Sequence, residues 1–319
     1  MSIQLLPEGC RHIEMAVHDV PAACGFMERT LGARRVEQQL VRAITGVVLD
    51  IDHMGCGGAV FQFCSVIDKT QPHQRYLEQI GPSLTNLNFG VADVPHAEAL
   101  LAAAGGRTLT KFHLSLMPWD QLLGPGNAKP AEELSDGIFA DTHDQLGFDL
   151  EYSESPLQGA AWQQALGSQS PRRTGERIER LLRLRVMVHD LDGCLDRVQR
   201  LISPDCRSGV YHAWQNATAK SARIRLAGLE LEYCQPLRAE GPWHDYLENF
   251  EQGIGTAVFQ VRDLKSAVAA MPAQDVALAQ GEYLGCRDAG QGPYAPSATG
   301  YRLNARPILG FDIELTESE

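Results

Sequence analysis

No apolar run in this chain reaches the roughly 18 residues that a membrane span needs, and no basic stretch followed by an apolar core opens it. Both absences read against a membrane anchor or a secretory leader. The eight cysteines are scattered, with no Cys-x-x-Cys and no paired spacing, so neither a disulfide framework nor a zinc ribbon is indicated. A reduced, cytoplasmic setting is the expectation. Basic charge is also short: 28 Lys and Arg stand against 40 Asp and Glu, a net charge of −12. That balance disfavours nucleic acid and anionic membrane surfaces as partners. Aromatic residues make up only 7% of the chain, while 44% is apolar, the composition of an ordinary globular protein. A length of 319 residues is enough for two cores.

What is present is a repeat. Val-x-Asp-[Val/Leu] occurs at Val17-His18-Asp19-Val20, Val91-Ala92-Asp93-Val94, Val188-His189-Asp190-Leu191 and Val261-Arg262-Asp263-Leu264. The Asp markers are 74, 97 and 73 residues apart, a short-long-short rhythm that describes one module used four times in two pairs. Pro72 to Glu78 (PHQRYLE) matches Pro242 to Glu248 (PWHDYLE) at a shift of 170, and Leu146 to Asp149 matches Leu309 to Asp312 at a shift of 163. These matches predict two halves of a usual domain size, 8–153 and 177–317, joined by a linker over 154–176 rich in Pro, Gly, Ser, Gln and Arg.

Each module reads as strand, helix, then about three strands. In the first, Ile13 to Val17 is an apolar strand and Asp19 is placed to cap the helix that follows. Val20, Ala23, Phe26, Met27 and Leu31 recur at helical spacing before Gly32 ends it. Strands are expected at Ile44 to Ile51 and Ala59 to Val66, separated by Gly55 to Gly58. The second module repeats this from Leu84 to Val91, with cap Asp93, a helix through Ala104 and a last strand at Phe148 to Tyr152. Two such units side by side form an open, cup-like sheet able to hold a ligand. The fold class is therefore α+β, with four βαβββ modules paired into two domains with cup-shaped mixed sheets.

His-Ile-x-x-x-Val-x-Asp at the first strand and Gly-Phe-x-[Leu/Ile]-Glu at the last resemble the vicinal oxygen chelate superfamily, which includes glyoxalase I, methylmalonyl-CoA epimerase, extradiol ring-cleaving dioxygenases and antibiotic-binding resistance proteins. The resemblance covers almost the whole chain, and it is specific for fold more than for reaction. It implies a divalent ion (Zn, Ni, Co, Mn, Mg or Fe(II)) held at four repeated places. Carried onto the N-terminal half these are His12, Gln62, Asn86 and Glu151; onto the C-terminal half, Arg183, Glu232, Thr256 and Glu314. Arg183 offers no acceptor and keeps its proton, so the second set is a poor metal site. The N-terminal set is nearest the epimerase and glyoxalase I pattern, with Asn86 where that branch has a second His.

The resemblance implies an enzyme that moves a proton next to a metal-chelated carbonyl: a lyase, isomerase or epimerase with Glu151 as the catalytic carboxylate. The alternatives are a ring-cleaving dioxygenase, one His short unless His53 or His143 substitutes, and a metal-free binder of the resistance type. His73, Tyr76 and Tyr246 read as packing residues, Cys64 and Cys234 as small buried strand residues, and His18 and His189 as strand-exit residues. The long connection Arg107 to Gly137 carries Phe112, His113, Met117 and Trp119, expected to form a lid over substrate. With the Tyr-bearing stretch Gly281 to Arg302, it suggests a partly apolar acid or thioester as the small-molecule partner. Pairing of two chains into a homodimer is left open.

Overall fold

A computed structural model describes residues 2–6, 9–36, 49–113, 136–154, 178–202, 211–213, 219–237, 239, 242–271, 278–279, 301–303 and 305–317. The first module is β1 (Cys10–Ala16), α1 (Val20–Leu31), β2 (Arg34–Arg35), β3 (Leu49–Cys56) and β4 (Ala59–Val66). A connecting helix α2 (Pro72–Gln79) leads to β5 (Ser83–Gly90), α3 (Val94–Ala103), β6 (Arg107–His113), β7 (Asp136–Asp141), α4 (His143–Leu146) and β8 (Asp149–Ser153). The second half runs β9 (Ile178–Met187), α5 (Leu191–Leu201), β10 (Tyr211–Ala213), β11 (Ala219–Leu226) and β12 (Leu229–Pro236). It continues with α6 (Pro242–Phe250), β13 (Gly253–Val261), α7 (Leu264–Ala269), β14 (Leu278–Ala279), β15 (Tyr301–Leu303), α8 (Arg306–Leu309) and β16 (Asp312–Thr316).

Two open eight-stranded sheets result, ordered β2-β3-β4-β1-β5-β8-β7-β6 and β10-β11-β12-β9-β13-β16-β15-β14. In each module the first strand pairs parallel with the last, β1 with β4 and β5 with β8, and the two modules meet antiparallel along β1 and β5. A parallel pair needs a crossover, and the helix after the first strand begins it. All four Asp markers cap such a helix. Asp19, Asp93, Asp190 and Asp263 accept from the backbone N–H of Ala22, His96, Gly193 and Ser266 at 2.8 to 3.0 Å. His18 and His189, beside the caps, are exposed.

β3 differs from its expected span. It runs to Cys56, so Gly55 sits within the strand, and the turn is confined to Gly57 and Gly58, both at positive φ. Ile44 to Val48, Met117, Trp119, most of the linker and Gly281 to Gly300 lie outside the described residues, as do the side chains of Phe112 and His113.

Strand alternation sends Ile13, Met15, Phe61 and Phe63 to one side of the first sheet and His12, Glu14, Gln62 and Cys64 to the other. The apolar side packs on α1 through Phe26 and Met27, and onto the second sheet. Phe61 lies 5.9 Å from Phe259 and 6.4 Å from Phe311, ring centre to ring centre, so one core serves both halves. Burying each large side chain of this kind contributes about 1.5 to 3 kcal/mol. Close backbone approach joins the halves too: the Leu181 N–H donates to the Gly57 carbonyl at 2.7 Å. With its apolar side committed to the core, each sheet has its polar side left for chemistry.

Candidate metal centre in the N-terminal cup

Register fixes which side chains share the polar face. One row across the sheet is His53, Gln62, Glu14, Asn86 and Asp149, each paired with the next on the neighbouring strand. The adjacent row is His12, Asn88, Glu151 and Phe139. His73 reaches the same place from α2, its ring edge-on to Phe139 at 5.9 Å. All of these except Gln62 and Phe139 are buried.

Glu14 is the hub. His73 Nε2 and the Gln62 side-chain amide contact its two oxygens at very short range, and Asn86 Nδ2 donates to Oε1 at 2.7 Å. His12 Nε2 lies 3.7 Å from Glu14 Oε2 and 3.2 Å from Glu151 Oε2. The Gln62 amide oxygen meets His53 Nε2 at 2.6 Å, and the His12 and His53 rings are 6.1 Å apart. The structure thus brings His12 and Glu151 together and turns Gln62 and Asn86 toward Glu14. His53 enters the cup; His143 packs instead on Tyr76, at 5.4 Å.

The electrostatics follow from burying two carboxylates together. For Glu14, burial would raise the pKa, but His73 and His12 outweigh it and hold the carboxyl well below its usual range. Burial would drive the His12 imidazole down, yet the Glu151 carboxylate and the bond to Glu14 push it up to about 9. His73 is raised in the same way by Glu14 against its own burial. His53 goes the other way, to about 3, through burial and the neighbouring His12. Glu14 is thus held toward its charged form between two imidazoles that are both pushed up, while the His53 imidazole beside them is pushed down.

Charge is the first test of fit: the buried carboxyl groups of Glu14 and Glu151 face His12 and His73, and a divalent cation could displace protons from those imidazoles. Distance is the second. Ligands at about 2.1 Å from one ion are about 3.0 to 3.4 Å apart, near the 3.2 Å between His12 and Glu151. One ligand atom each from His12, Glu14 and Glu151 lies within 4.8 Å of the others. Asn86 Oδ1 supplies the third test: it is buried and, among the described residues, meets no donor. The donor set fits a divalent ion.

Glu14 is the residue that sequence reasoning passed over, and His73 the one assigned to packing. The signal for Glu14 was a charged residue inside the buried run His12-Ile13-Glu14-Met15-Ala16, two places from His12 and so on the same face. Tyr76 does pack as expected, and its hydroxyl donates to Asp149 at 2.6 Å. Asp149 also accepts from the backbone N–H of Thr142 and His143, which ties α4 beneath the cup.

The C-terminal sheet repeats the rows with other residues: Arg223, Glu232, Arg185, Thr256 and Asp312, then Arg183, Val258, Glu314 and Arg302. Arg185 stands where Glu14 stands. It donates to Glu232 at 3.0 Å and to Glu314 at 2.5 Å, while Arg183 lies 3.2 Å from Glu232.

No known family model matches this sequence, and no curated protein matches it. Solved structures do. A triple mutant of 4-hydroxymandelate synthase from Streptomyces coelicolor superposes with a TM-score of 0.60 over 98% of this chain and 94% of its own, at 14% identity. A mutant of homoprotocatechuate 2,3-dioxygenase from Brevibacterium fuscum gives 0.56 over 100% of this chain and 73% of its own, at 11% identity. At these identities the likeness is one of fold: the chain shares its paired-module, open-sheet architecture with these two structures.

Proposed function

We propose that the N-terminal cup is a divalent-metal site and that the protein is a lyase, isomerase or epimerase moving a proton beside a carbonyl of a small, partly apolar acid or thioester. The convergence of buried His12, Glu14 and Glu151 carries this reading. These three would hold the ion, with the Gln62 and Asn86 amides beside them. A bound divalent ion would serve as a Lewis acid for a substrate carbonyl and its neighbouring oxygen.

The two carboxylates have different work. Glu14 is gripped by His73, Gln62 and Asn86, so it stays charged and in place. Glu151 has a lighter hold, through His12, and is the residue to take a proton from the carbon next to the carbonyl and return it. His53 stays neutral and fixes the Gln62 amide through its oxygen.

One observation favours a second reading. His53 and His73 both enter the cup, so the N-terminal half is not limited to one imidazole, the donor that Fe(II) ring-cleaving chemistry needs twice, but each set of ligand atoms that converges among the described residues holds a single His. Elemental analysis of protein purified without added metal, beside His12→Ala, tests the site. About one equivalent lost in the variant supports it; no metal in either, and none taken up on titration, sinks it in favour of a metal-free binder. Deuterium uptake from solvent at the carbon beside the carbonyl, abolished in Glu151→Gln, would separate proton transfer from oxygen consumption.

A further inference from the structure

We propose that the N-terminal cup contains a second cation site, formed by Glu14, Cys64 and His73, which shares the Glu14 carboxylate with the site of His12 and Glu151. One ligand atom from each of the three lies within 4.8 Å of the other two, and all three side chains are buried. They come from β1, β4 and α2, so the site is assembled by the fold and not by a local turn.

The two oxygens of Glu14 face different neighbours. Oε2 faces His12 and the Gln62 amide; Oε1 faces His73 and Asn86. A carboxylate with an imidazole at each oxygen has the arrangement of a bridging ligand between two ions. Cys64 lies two residues from Gln62 and on the same face of β4, and Gln62 Nε2 donates to its Sγ at 3.3 Å as well as to Glu14. One amide therefore gathers the thiol and the carboxylate. Asn86 stands between the two sites, its Nδ2 on Glu14 Oε1 and its Oδ1 meeting no hydrogen-bond donor among the described residues, so that oxygen is open to either ion. A half-turn of that amide would present the oxygen at the position where Nδ2 now meets Glu14 Oε1.

The donor chemistry names the ion class. Thiolate, imidazole and carboxylate together suit Zn²⁺ or a similar borderline ion, whereas Mg²⁺ and Ca²⁺ prefer oxygen alone. The thiol would lose its proton on coordination. The C-terminal cup keeps the thiol, as Cys234, but sets it near the Arg185 guanidinium and in the apolar cluster that Trp243 packs against, so the thiol by itself does not mark a site. The combination with Glu14 and His73 does.

This inference shares Glu14 with the metal site proposed above but not His12 or Glu151, and the variants separate the two. Metal-free full-length protein is titrated with Co²⁺ and followed by bound equivalents and by thiolate-to-cobalt charge-transfer absorption in the near ultraviolet. Wild type is expected to bind two equivalents and show the band. Cys64→Ser should bind one and lose the band; His12→Ala should bind one and keep it. Should Cys64→Ser fail to fold by circular dichroism, His73→Asn is expected to give the same loss. Absence of the band in wild type, or unchanged stoichiometry in folded Cys64→Ser and His73→Asn, overturns the proposal. A His12→Ala variant that still binds two equivalents would sink the first site and leave this one standing.

Discussion

The two cups of this protein are built on the same strand registers and filled with opposite chemistry. At the hub of the first sheet, the Glu14 carboxylate is surrounded by imidazoles and amides; at the hub of the second, the Arg185 guanidinium is surrounded by Glu232 and Glu314. Where His73 of α2 touches Glu14, Trp243 of α6 lies 5.6 Å from the Arg185 guanidinium, a cation–π contact in place of an ion pair. Both hubs bury charge and both neutralise it. They differ in whether the neutralising cation can leave. Guanidinium keeps its proton at every accessible pH, so the C-terminal network is closed on itself. Imidazole does not, so the N-terminal network can exchange its protons for a metal ion. One cup is closed by charges that cannot leave, and the other holds protons that a cation could displace.

The largest effect should come from breaking the exchangeable side. Glu151→Gln is expected to leave the fold intact, by circular dichroism and melting temperature, and to lower turnover by a factor of about 10² to 10⁴, the usual worth of a positioned general base. A rate within a few-fold of wild type would remove Glu151 from the chemistry. On the permanent side, Arg185→Met strips an ion partner from buried Glu232 and from Glu314. The expected loss is about 3 to 5 kcal/mol in denaturant unfolding, the cost of leaving buried charge unpaired. Replacing Arg185, Glu232 and Glu314 together by apolar residues should recover most of it. If the single variant unfolds like wild type, the network is not what holds the second cup.

How legible the two cups were in the sequence follows the same divide. The repeat of Val-x-Asp predicted the modules and the four caps because helix capping is local: an Asp three residues before a backbone N–H needs no tertiary information. His12 and Glu151 could be carried over because they close recognisable motifs. Glu14 and His73 could not, since their meaning depends on a contact across 59 residues between β1 and α2. Arg183 was read as unfit to bind a cation, and it lies 3.2 Å from Glu232. That Arg185 also takes the hub required the strand register, which the sequence shows only once β12, β9 and β13 are paired.

Dependence on pH sharpens the contrast between exchangeable and fixed charge. His12 titrates at about 9 when folded and at 6.5 ordinarily, so its contribution to stability is fully present below 6.5 and is lost as pH rises through 9. The difference is worth about 3 kcal/mol at 1.36 kcal/mol per unit. His73, also raised, adds a loss of the same sign. The metal-free protein should therefore lose melting temperature between pH 7 and 10, and saturating Zn²⁺ or Co²⁺ should flatten that limb by taking over the charge. His12→Asn should remove part of the slope. A limb that stays equally steep with and without metal would mean that the protons on these imidazoles and the ion do not compete.

The smallest expected difference lies at the contact between the halves, where equivalent glycines meet unequal neighbours. Gly147 and Gly310 both end a short helix at positive φ, 82° and 84°, a region that L side chains enter at a cost of about 1 to 2 kcal/mol. Each faces the other half. A Cβ on Gly147 would lie 2.6 Å from Val186 Cγ1, the end of a side chain that can shift. A Cβ on Gly310 would overlap the backbone of Pro82 and Ser83, which pairs into β5 and cannot move without disturbing the strand that carries Asn86. Gly310→Ala should accordingly cost more than Gly147→Ala, by about 1 kcal/mol or more in denaturant unfolding. It should also loosen the N-terminal cup from the far side, seen as weaker Co²⁺ binding. Equal costs would show that the strain of the turn, common to both, outweighs what each glycine touches.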